Sequence, residues 1–291
     1  MPEISAYKQL ILNNISQLTK NQKKIAQFLI DHPEEIAFSS IDTIADKLKV
    51  GKATIVRLAQ ALGYKGFLEL KAELSDRLRD NLTATKKFKD VLDNAPLKSD
   101  FVSVIANNEI ENIRLTFDKL DRASFDKAVD LCVSASKIYT IGAGISMHLS
   151  QLTAYFLNRI TLKAAAFTSC GFSFHEQILA IKKEDTIIAI SLVPYTLATI
   201  EAAEMAHSKG VRVISITDKL VAPIAEFSDV VFPVSSENIV FINTASAILT
   251  FVCALATGIG LKDRSHSLEV LSSLEGIKTN FDFDVHTDYF R

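Results

Sequence analysis

The spacing of apolar residues along the chain changes near residue 100. Before about residue 80, apolar residues recur every three or four positions, which is typical of amphipathic helices that bury one face. This spacing predicts four helices, in the segments "TKNQKKIAQFLI", "DTIADKLK", "KATIVRLAQAL" and "GFLELKAELSDRLRD". Pro33 ends the first, and the third begins after Gly51 and stops at Gly63. Residues 1–80 are therefore predicted to form an all-α domain.

After residue 100, short apolar runs alternate with helical segments. The runs are "KIYTI" (137–141), "AAAF" (164–167), "DTIIAI" (185–190), "VRVISI" (211–216) and "VVFPV" (230–234). Short apolar runs between helices are typical of buried parallel strands. Residues 100–291 are therefore predicted to form an α/β domain with a five-stranded parallel sheet flanked by helices. Residues 81–99 are polar, contain Pro96 and are predicted to be the linker.

The composition agrees with two folded domains that have different partners. The chain has 291 residues, of which 48% are hydrophobic and 23% charged, enough apolar material for a sizeable core. Residues 1–90 carry 15 basic and 11 acidic side chains, whereas the remainder carries 17 and 23. This asymmetry indicates that the two halves bind different partners.

The three cysteines do not form a disulfide framework or a zinc site. Cys132, Cys170 and Cys253 are widely spaced, odd in number and contain no Cys-x-x-Cys pair, which fits a reducing cytoplasm. Each is predicted to be a small, buried, apolar side chain. No metal site and no cofactor are expected.

One segment, residues 238–261, is uncharged and long enough to cross a bilayer. Asn243, Thr244, Ser246 and Thr250 are scattered through it, and no basic cluster follows at once. It is therefore predicted to be a buried helix of a soluble domain. The first residues also lack the basic region and apolar core of a signal peptide. We expect a cytoplasmic protein without a membrane partner.

The second and third predicted helices have the spacing of a helix-turn-helix. In this motif a tight turn, here with Gly51, places the second helix in the DNA major groove. Ile55, Leu58, Ala59 and Leu62 share the face that is predicted to pack inward. Short side chains that approach base edges and basic ones that meet a guanine or a phosphate are the candidate DNA contacts: Lys52, Ala53, Thr54, Arg57 and Lys65. A helical bundle whose Lys and Arg are only solvated also fits the spacing.

The stretch "SSIDTIADKLKVGKATIVRLAQALGYKGFLELKAEL" resembles the helix-turn-helix of RpiR/MurR-type bacterial transcription regulators. The matching elements are "I-x-x-I-A", "A-T-I-V-R" and "L-G-Y-K-G-F-L-E-L-K", and the resemblance implies binding to operator DNA. Gly51 departs from the family, which usually has a serine that caps the recognition helix. Glycine at a cap costs only roughly a few tenths of a kcal/mol relative to serine. The fold is expected to survive, but a hydroxyl that can meet a phosphate is lost.

The segment "TIGAGISMHLS", residues 140–150, follows the first predicted strand and admits three interpretations. A dinucleotide site requires Gly-x-Gly-x-x-Gly and an acidic residue about 20 positions on. Met147 takes the third glycine position, and no Asp or Glu occurs near residue 164. The glycines can also serve tight packing alone. The third interpretation is a phosphate or sugar site at a helix N-terminus, formed by Gly142, Gly144 and the hydroxyl of Ser146.

Residues 100–260 resemble a sugar isomerase (SIS) domain, which accompanies this helix-turn-helix in RpiR-type regulators and favours the third interpretation. SIS domains usually bind phosphorylated sugars, through Gly and Ser residues after the first strand and through a later loop of approximate pattern Ser-x-Ser-Gly-x-Thr. In "ISLVPYTLATIEAA", Ser191 and Thr196 match this pattern, whereas Val193 and Pro194 replace its second serine and its glycine. One hydroxyl and one N–H are lost, each worth roughly 1.5–3 kcal/mol in a hydrogen bond to a charged group. The effector then either sits differently or is another acid or a polyol.

Further candidates follow predicted strands, at the edge where ligands gather in α/β folds. Tyr195 offers a ring face or a hydroxyl, or simply packs. His175, beside Glu176, and Glu237 offer contacts to sugar hydroxyls; an exposed or core pair is the alternative for His175 and Glu176. An aldose–ketose isomerase would need such a group as its base. The appended DNA-binding unit and the altered loop argue against turnover, so we expect no enzyme activity.

These resemblances predict a bacterial transcriptional regulator that binds operator DNA and responds to a sugar phosphate or a related carbohydrate metabolite. A phosphorylated carbohydrate is the expected effector. One short recognition helix reads too few base pairs alone, so a homodimer or homotetramer on a roughly palindromic operator is expected. The alternative is a SIS-type sugar-phosphate isomerase, or a sugar-binding protein whose front bundle does not bind DNA.

Overall fold

The computed structural model describes most of both predicted domains. The described residues are 10–11, 13–15, 17–81, 89, 100–168, 171–237 and 244–276. The predicted linker, residues 81–99, lies outside them except at residues 81 and 89. Cys170 and residues 277–291 also lie outside the described part of the chain.

The front domain is helical, as predicted. Between residues 20 and 81 the structure describes α1 (Lys20–Asp31), α2 (Pro33–Phe38), α3 (Ile41–Leu48), α4 (Lys52–Ala61) and α5 (Phe67–Asn81). Four of these are the predicted helices, and α2 is an addition. Pro33 does end α1, but it also opens α2, because proline lacks only an N–H that the first turn of a helix does not use.

One apolar core holds these helices together. The predicted inward residues of α4 are buried, with Ile55, Leu58, Ala59 and Leu62 all at most 3% exposed. Two polar contacts join α1 to α3. The Lys24 ammonium donates to the carbonyl of Leu48 at 2.7 Å, and the Lys47 ammonium lies 5.2 Å from the centre of the Phe28 ring. Helix α4, the predicted recognition helix, therefore packs on a buried apolar core.

The back domain has the predicted α/β architecture. Its strands are β1 (Ile138–Ile141), β2 (Ala164–Ala166), β3 (Thr186–Ser191), β4 (Arg212–Thr217) and β5 (Val230–Pro233). Its helices are α6 (Phe101–Asp118), α7 (Arg122–Ser134), α8 (Ile145–Thr161), α9 (Phe174–Leu179), α10 (Leu197–Ser208), α11 (Ser246–Lys262) and α12 (Arg264–Gly276), with a 3-10 turn at Pro223–Phe227. All five predicted strands are confirmed to within one residue at each end.

The strands form one parallel sheet in the order β2-β1-β3-β4-β5. Ile138 of β1 pairs with Ala164 of β2 on one side and with Thr186 of β3 on the other. The chain therefore leaves β1 and β3 in opposite directions along the sheet, and the crevice between their carboxyl ends is the switch point where ligands bind in such sheets. We call this place the β1–β3 crevice.

Helices cover both faces of the sheet. Ile188 and Ile190 of β3 pack toward α7, α8 and α11, whereas Ile187 and Ala189 pack toward α9 and α10. Because side chains alternate along a strand, Ser191 lies on the same face as Ala189, under α10. The face of the sheet on which Ser191 lies determines which groups surround the loop after β3.

The apolar segment 238–261 includes a core helix. Residues 238–243 are outside the described part, and the rest forms α11, whose Phe251, Val252 and Leu255 are fully buried. Within the described residues, no single helix is long and apolar enough to cross a membrane. Helices α11 and α12 satisfy the length and composition criteria only as a pair, with a bend of 111° between them. The predicted burial of α11 is confirmed.

The cysteine prediction is confirmed at one position and wrong at another. Cys132 is fully buried on the inner face of α7, and burial raises the pKa of its thiol to about 12. Cys253 is exposed, because it lies on the side of α11 opposite Phe251, Val252 and Leu255. Because α11 is apolar on every side, its sequence does not indicate which face packs against the rest of the domain.

We expect iodoacetamide at pH 8 to modify Cys253 quickly and Cys132 only when the domain unfolds. At that pH a thiol of pKa about 12 is roughly one part in 10,000 thiolate, and the thiolate is the nucleophile. Mass spectrometry of peptides from folded and urea-unfolded protein measures both sites. Equal labelling rates in the folded protein would contradict the burial of Cys132; Cys253→Ser is the matched control.

Candidate functional sites

The helix-turn-helix is formed by α3, a short turn and α4. Ser40 caps α3, accepting a hydrogen bond from the Thr43 N–H at 3.1 Å. Gly51 caps α4 with φ −72° and ψ 142°, and α4 has no side-chain cap bond. A Cβ atom on Gly51 would meet only the Thr54 hydroxyl, at 3.9 Å. Neither the space around residue 51 nor its backbone conformation requires glycine. Glycine in place of the family's serine therefore removes a side-chain cap without relieving strain.

The predicted DNA-binding residues are accessible to different degrees. Lys52, Ala53, Arg57 and Lys65 are exposed, and Thr54 is half-buried. By helical spacing, Ala53 and Arg57 lie opposite the buried face of α4, and Lys65 follows the helix. Lys52 is paired with Asp42 of α3, and the backbone N–H of Lys65 donates to the Glu69 carboxylate. The side chain of Lys52 must therefore exchange a carboxylate for a phosphate if it contacts DNA.

The loop after β1 is shaped by two glycines. A Cβ atom on Gly142 would lie 2.4 Å from the carbonyl oxygen of Ser146, in the first turn of α8. Gly144 has φ +62°, which side chains rarely adopt, and it caps α8 without a side-chain bond. The two glycines let the backbone fold tightly onto the start of α8. Ser146, in the first turn of α8, is buried at 4% exposed.

The loop after β3 contains buried hydroxyls without partners. Ser191 ends β3, is 3% exposed, and its Oγ has no hydrogen-bond partner in the described structure. The same is true of Thr199, 1% exposed, in the first turn of α10, and of Ser215 on the neighbouring strand. Buried polar groups are normally paired with protein or with ordered water, so each of these hydroxyls calls for an explanation. Thr196 is exposed and caps α10 without a side-chain bond.

Tyr195 and His175 are each tied to a carboxylate. The Tyr195 hydroxyl donates to Asp218 Oδ1 at 2.7 Å, while its ring packs partly buried on the α9–α10 face. His175 Nε2 lies 3.2 Å from Glu201 Oε2 of α10, and both side chains are about two-fifths exposed. The Tyr195 ring is thus packed against apolar side chains while its hydroxyl is hydrogen-bonded to Asp218. The contact of His175 with Glu201 links α9 to α10.

Glu176 serves as a helix cap. Ser173 donates to its carboxylate from the backbone N–H at 2.7 Å and from the hydroxyl at 2.8 Å. These hydrogen bonds lower the pKa of Glu176. The capping box fixes the start of α9, so Glu176 has a structural task beside the predicted sugar contact.

Glu237 lies at another part of the sheet edge. It lies four residues beyond the end of β5, and β4 separates β5 from β3 in the sheet. Its carbonyl accepts hydrogen bonds from Asn108 at 2.9 Å and Asn112 at 2.6 Å, both on α6, and its side chain is exposed. Ser146 and Ser191 follow the neighbouring strands β1 and β3, whereas Glu237 follows β5.

Comparison with known proteins identifies both domains. The family model described as a helix-turn-helix domain of the rpiR family matches residues 6–81, and that of the SIS domain matches residues 132–258. An HTH-type transcriptional regulator of Haemophilus influenzae is 30% identical over 231 residues, which cover 76% of this chain and 78% of the relative. The chain belongs to the RpiR family of transcriptional regulators.

A further relative and two solved structures are similar to this chain. The regulator HexR of Pseudomonas aeruginosa is 25% identical over 258 residues, covering 87% of this chain and 88% of HexR. The structure of Vibrio vulnificus NanR, complexed with ManNAc-6P, matches 92% of this chain and 97% of its own with a TM-score of 0.66 at 21% identity. The sugar isomerase domain of an RpiR factor from Sphaerobacter thermophilus matches 62% of this chain and 100% of its own, at 21% identity and a TM-score of 0.59. The back domain therefore has the SIS fold.

Membership of the RpiR family makes the β1–β3 crevice the candidate effector site, and one residue there escaped sequence reasoning. Thr199 lies beyond the six-residue loop pattern, so the pattern could not include it. The one feature of the sequence that points to Thr199 is its hydroxyl in the first turn of α10, the helix that follows β3. No group of three or more His, Cys, Asp or Glu side chains in the described ranges is arranged to hold a metal ion.

Proposed function

We propose that this RpiR-family regulator reads operator DNA with α4 and senses a carbohydrate effector in the β1–β3 crevice. One observation carries the proposal: a single chain combines an accessible basic surface on α4 with an unpartnered, buried Ser191 hydroxyl in a SIS domain. Sensing requires that the effector bind one arrangement of the DNA-binding domains more tightly than the other.

The assembly that we propose is a homodimer or homotetramer acting in the cytoplasm on a roughly palindromic operator. Two recognition helices are needed because one reads too few base pairs for a unique genomic site. The complex of NanR with ManNAc-6P supports a phosphorylated sugar as the effector class that family relationship favours.

The proposal includes no catalytic turnover. Of the candidate bases, His175 lies 3.2 Å from Glu201, and both side chains are about two-fifths exposed, so this pair is not shielded from water. An isomerase needs its base within hydrogen-bond reach of the substrate carbon's proton. Relatives named as transcriptional regulators support the same conclusion.

Arg57→Ala is expected to weaken operator binding at least about tenfold, roughly 1.4 kcal/mol, because the exposed guanidinium would lose a guanine or phosphate contact. Fluorescence anisotropy with the protein's own promoter region, measured at several salt concentrations, tests this. A phosphate contact lowers affinity on all sequences and reduces the salt slope by about one, whereas a base contact mainly affects the operator.

The matched control is Arg122→Ala, which removes an equally exposed arginine from α7 of the SIS domain. Its operator affinity should equal that of the wild type. If Arg57→Ala binds the promoter as tightly as this control, Arg57 has no part in DNA recognition. If the wild type shows no salt-dependent binding to the promoter, the DNA-binding proposal fails.

A further inference from the structure

Lys52 is the first residue of α4 and carries its charge at an end of the helix where a cation is unfavourable. The partial positive charge of a helix N-terminus repels a cation and attracts a carboxylate. The first turn of α4 contains no acidic side chain, and Gly51 offers no side-chain cap. A carboxylate from another element would therefore stabilise both the start of α4 and the Lys52 ammonium.

Asp42, in the first turn of α3, provides that carboxylate. Its Oδ1 is paired with Lys52 Nζ across the helix-turn-helix, although the two residues are ten positions apart in sequence. The turn between the helices is held by the backbone, with the Val50 N–H donating to the Ala45 carbonyl at 3.0 Å. The ion pair thus spans a hydrogen-bonded turn and draws the Lys52 ammonium toward α3 in the DNA-free protein.

The exposure of this pair allows Lys52 to exchange its partner. Both side chains are 60% exposed, and an exposed ion pair shifts an equilibrium by at most about fivefold. A DNA duplex presents a dense row of phosphates, any of which competes for a lysine at the protein surface. A phosphate that reaches the start of α4 can therefore displace Asp42 from Lys52. The displaced carboxylate remains on α3 beside the phosphate and repels it.

We infer that Asp42 is a positioning residue of the DNA-binding surface, which holds Lys52 in the free protein and competes with DNA phosphates for it. This inference rests on the proposed function, because it requires that α4 meets DNA. Every base pair carries backbone phosphates, so the competition weakens binding to all sequences alike. Asp42 therefore sets the overall strength of DNA binding, whereas the choice of sequence depends on side chains that reach base edges.

The first test is Asp42→Asn in the full-length protein, with anisotropy on the promoter region and on an unrelated duplex of equal length. The variant should bind both duplexes roughly fivefold more tightly at low salt, since a carboxylate about 4 Å from a phosphate opposes binding by that factor in water. Its affinity should also fall more steeply with salt, by up to about 0.9 in the logarithmic slope, because Lys52 then neutralises a whole phosphate.

A purely structural role for Asp42 predicts the opposite sign. Loss of a carboxylate from the first turn of α3 removes a favourable interaction with the helix dipole, which would loosen the motif and weaken DNA binding. Unchanged or weaker binding by Asp42→Asn would therefore overturn the inference.

Asp31→Asn is the matched control for net charge. Asp31 is an exposed carboxylate at the end of α1 in the same domain, and the neutral side chain of Gln27 donates to both of its oxygens, at 3.0 and 2.9 Å. The two variants change the charge of the domain by the same amount. An equal gain in affinity for both would mean that net charge alone is responsible, and the assigned role of Asp42 would be wrong.

A double-variant cycle isolates the competition for Lys52. Lys52→Ala should weaken promoter binding about two- to fivefold more in the Asp42→Asn background than in the wild type, because only in the wild type must the lysine leave a carboxylate. Equal losses in the two backgrounds would contradict the inference. If Lys52→Ala has no effect in either background, Lys52 does not contact DNA and the inference falls, while Arg57→Ala still judges the proposed function. Absence of salt-dependent promoter binding by the wild type would instead contradict the proposed function itself.

Discussion

Replacing both Ser191 and Thr196 by alanine is expected to abolish the response to effector while operator binding stays intact. Ser191 Oγ is buried at the end of β3, under α10, without a protein partner, and Thr196 caps α10 with its side chain exposed and unbonded. Neither hydroxyl is needed by the fold in this state. The helix-turn-helix is a separate domain with its own core, so its contacts with DNA do not depend on these side chains.

The stability of the ligand-free protein gives this prediction a second readout. A buried hydroxyl without a partner costs desolvation, so Ser191→Ala should leave the unfolding midpoint unchanged or raise it. A hydroxyl retained despite such a cost is typical of a functional site. Calorimetry of the ligand-free variant measures the midpoint. Anisotropy on operator DNA, with the compound that stabilises the wild type most, measures the response.

Thr140→Val is the matched control on the neighbouring strand. The Thr140 hydroxyl is equally buried but donates to the Ser150 carbonyl at 2.8 Å. Its loss should lower stability by about 1 kcal/mol and leave the effector response unchanged. A normal response in the Ser191 and Thr196 double variant would place the effector elsewhere in the molecule.

Local patterns predicted the five strands and four of the helices that the structure describes between residues 20 and 81. The run "DTIIAI" has four consecutive apolar residues, 187–190, without the polar alternation of a half-exposed strand, and β3 is indeed buried throughout. Helix α4 was placed by apolar residues at helical spacing and by Gly51 and Gly63 at its ends. Helix α2 was missed because Pro33 was interpreted only as a stop, although proline is equally suited to a first turn.

Contacts between distant residues explain what sequence could not provide. Asp218 accepts a hydrogen bond from the Tyr195 hydroxyl. It follows β4, whereas Tyr195 lies in the loop after β3, and α10 separates the two in sequence. Glu201, which holds His175, lies 26 positions away from it. The exposure of Cys253 depends on which face of α11 the sheet covers. Each of these facts requires the order of strands, which apolar runs alone do not specify.

Gly142→Ala is expected to destabilise the SIS domain by roughly 3 kcal/mol, within the range of overpacked sites. The added Cβ would lie 2.4 Å from the carbonyl oxygen and 2.7 Å from the carbonyl carbon of Ser146. Both are backbone atoms, so no side-chain rotation relieves the overlap. The first turn of α8 must move, and with it the position of Ser146 in the crevice.

Gly260→Ala provides the control within the same domain. Its added Cβ would make only ordinary contacts, with the nearest atom, the Ser267 hydroxyl oxygen, at 3.7 Å. Alanine in a helix should then be neutral or stabilise by up to about 1 kcal/mol. Calorimetry distinguishes the variants, and hydrogen exchange locates the change, since only amides of the SIS domain should lose protection in Gly142→Ala. Equal stability of the two variants would mean that the backbone at residue 142 does not approach α8 as closely as described, and the crevice would then lack the shape that we assign to it.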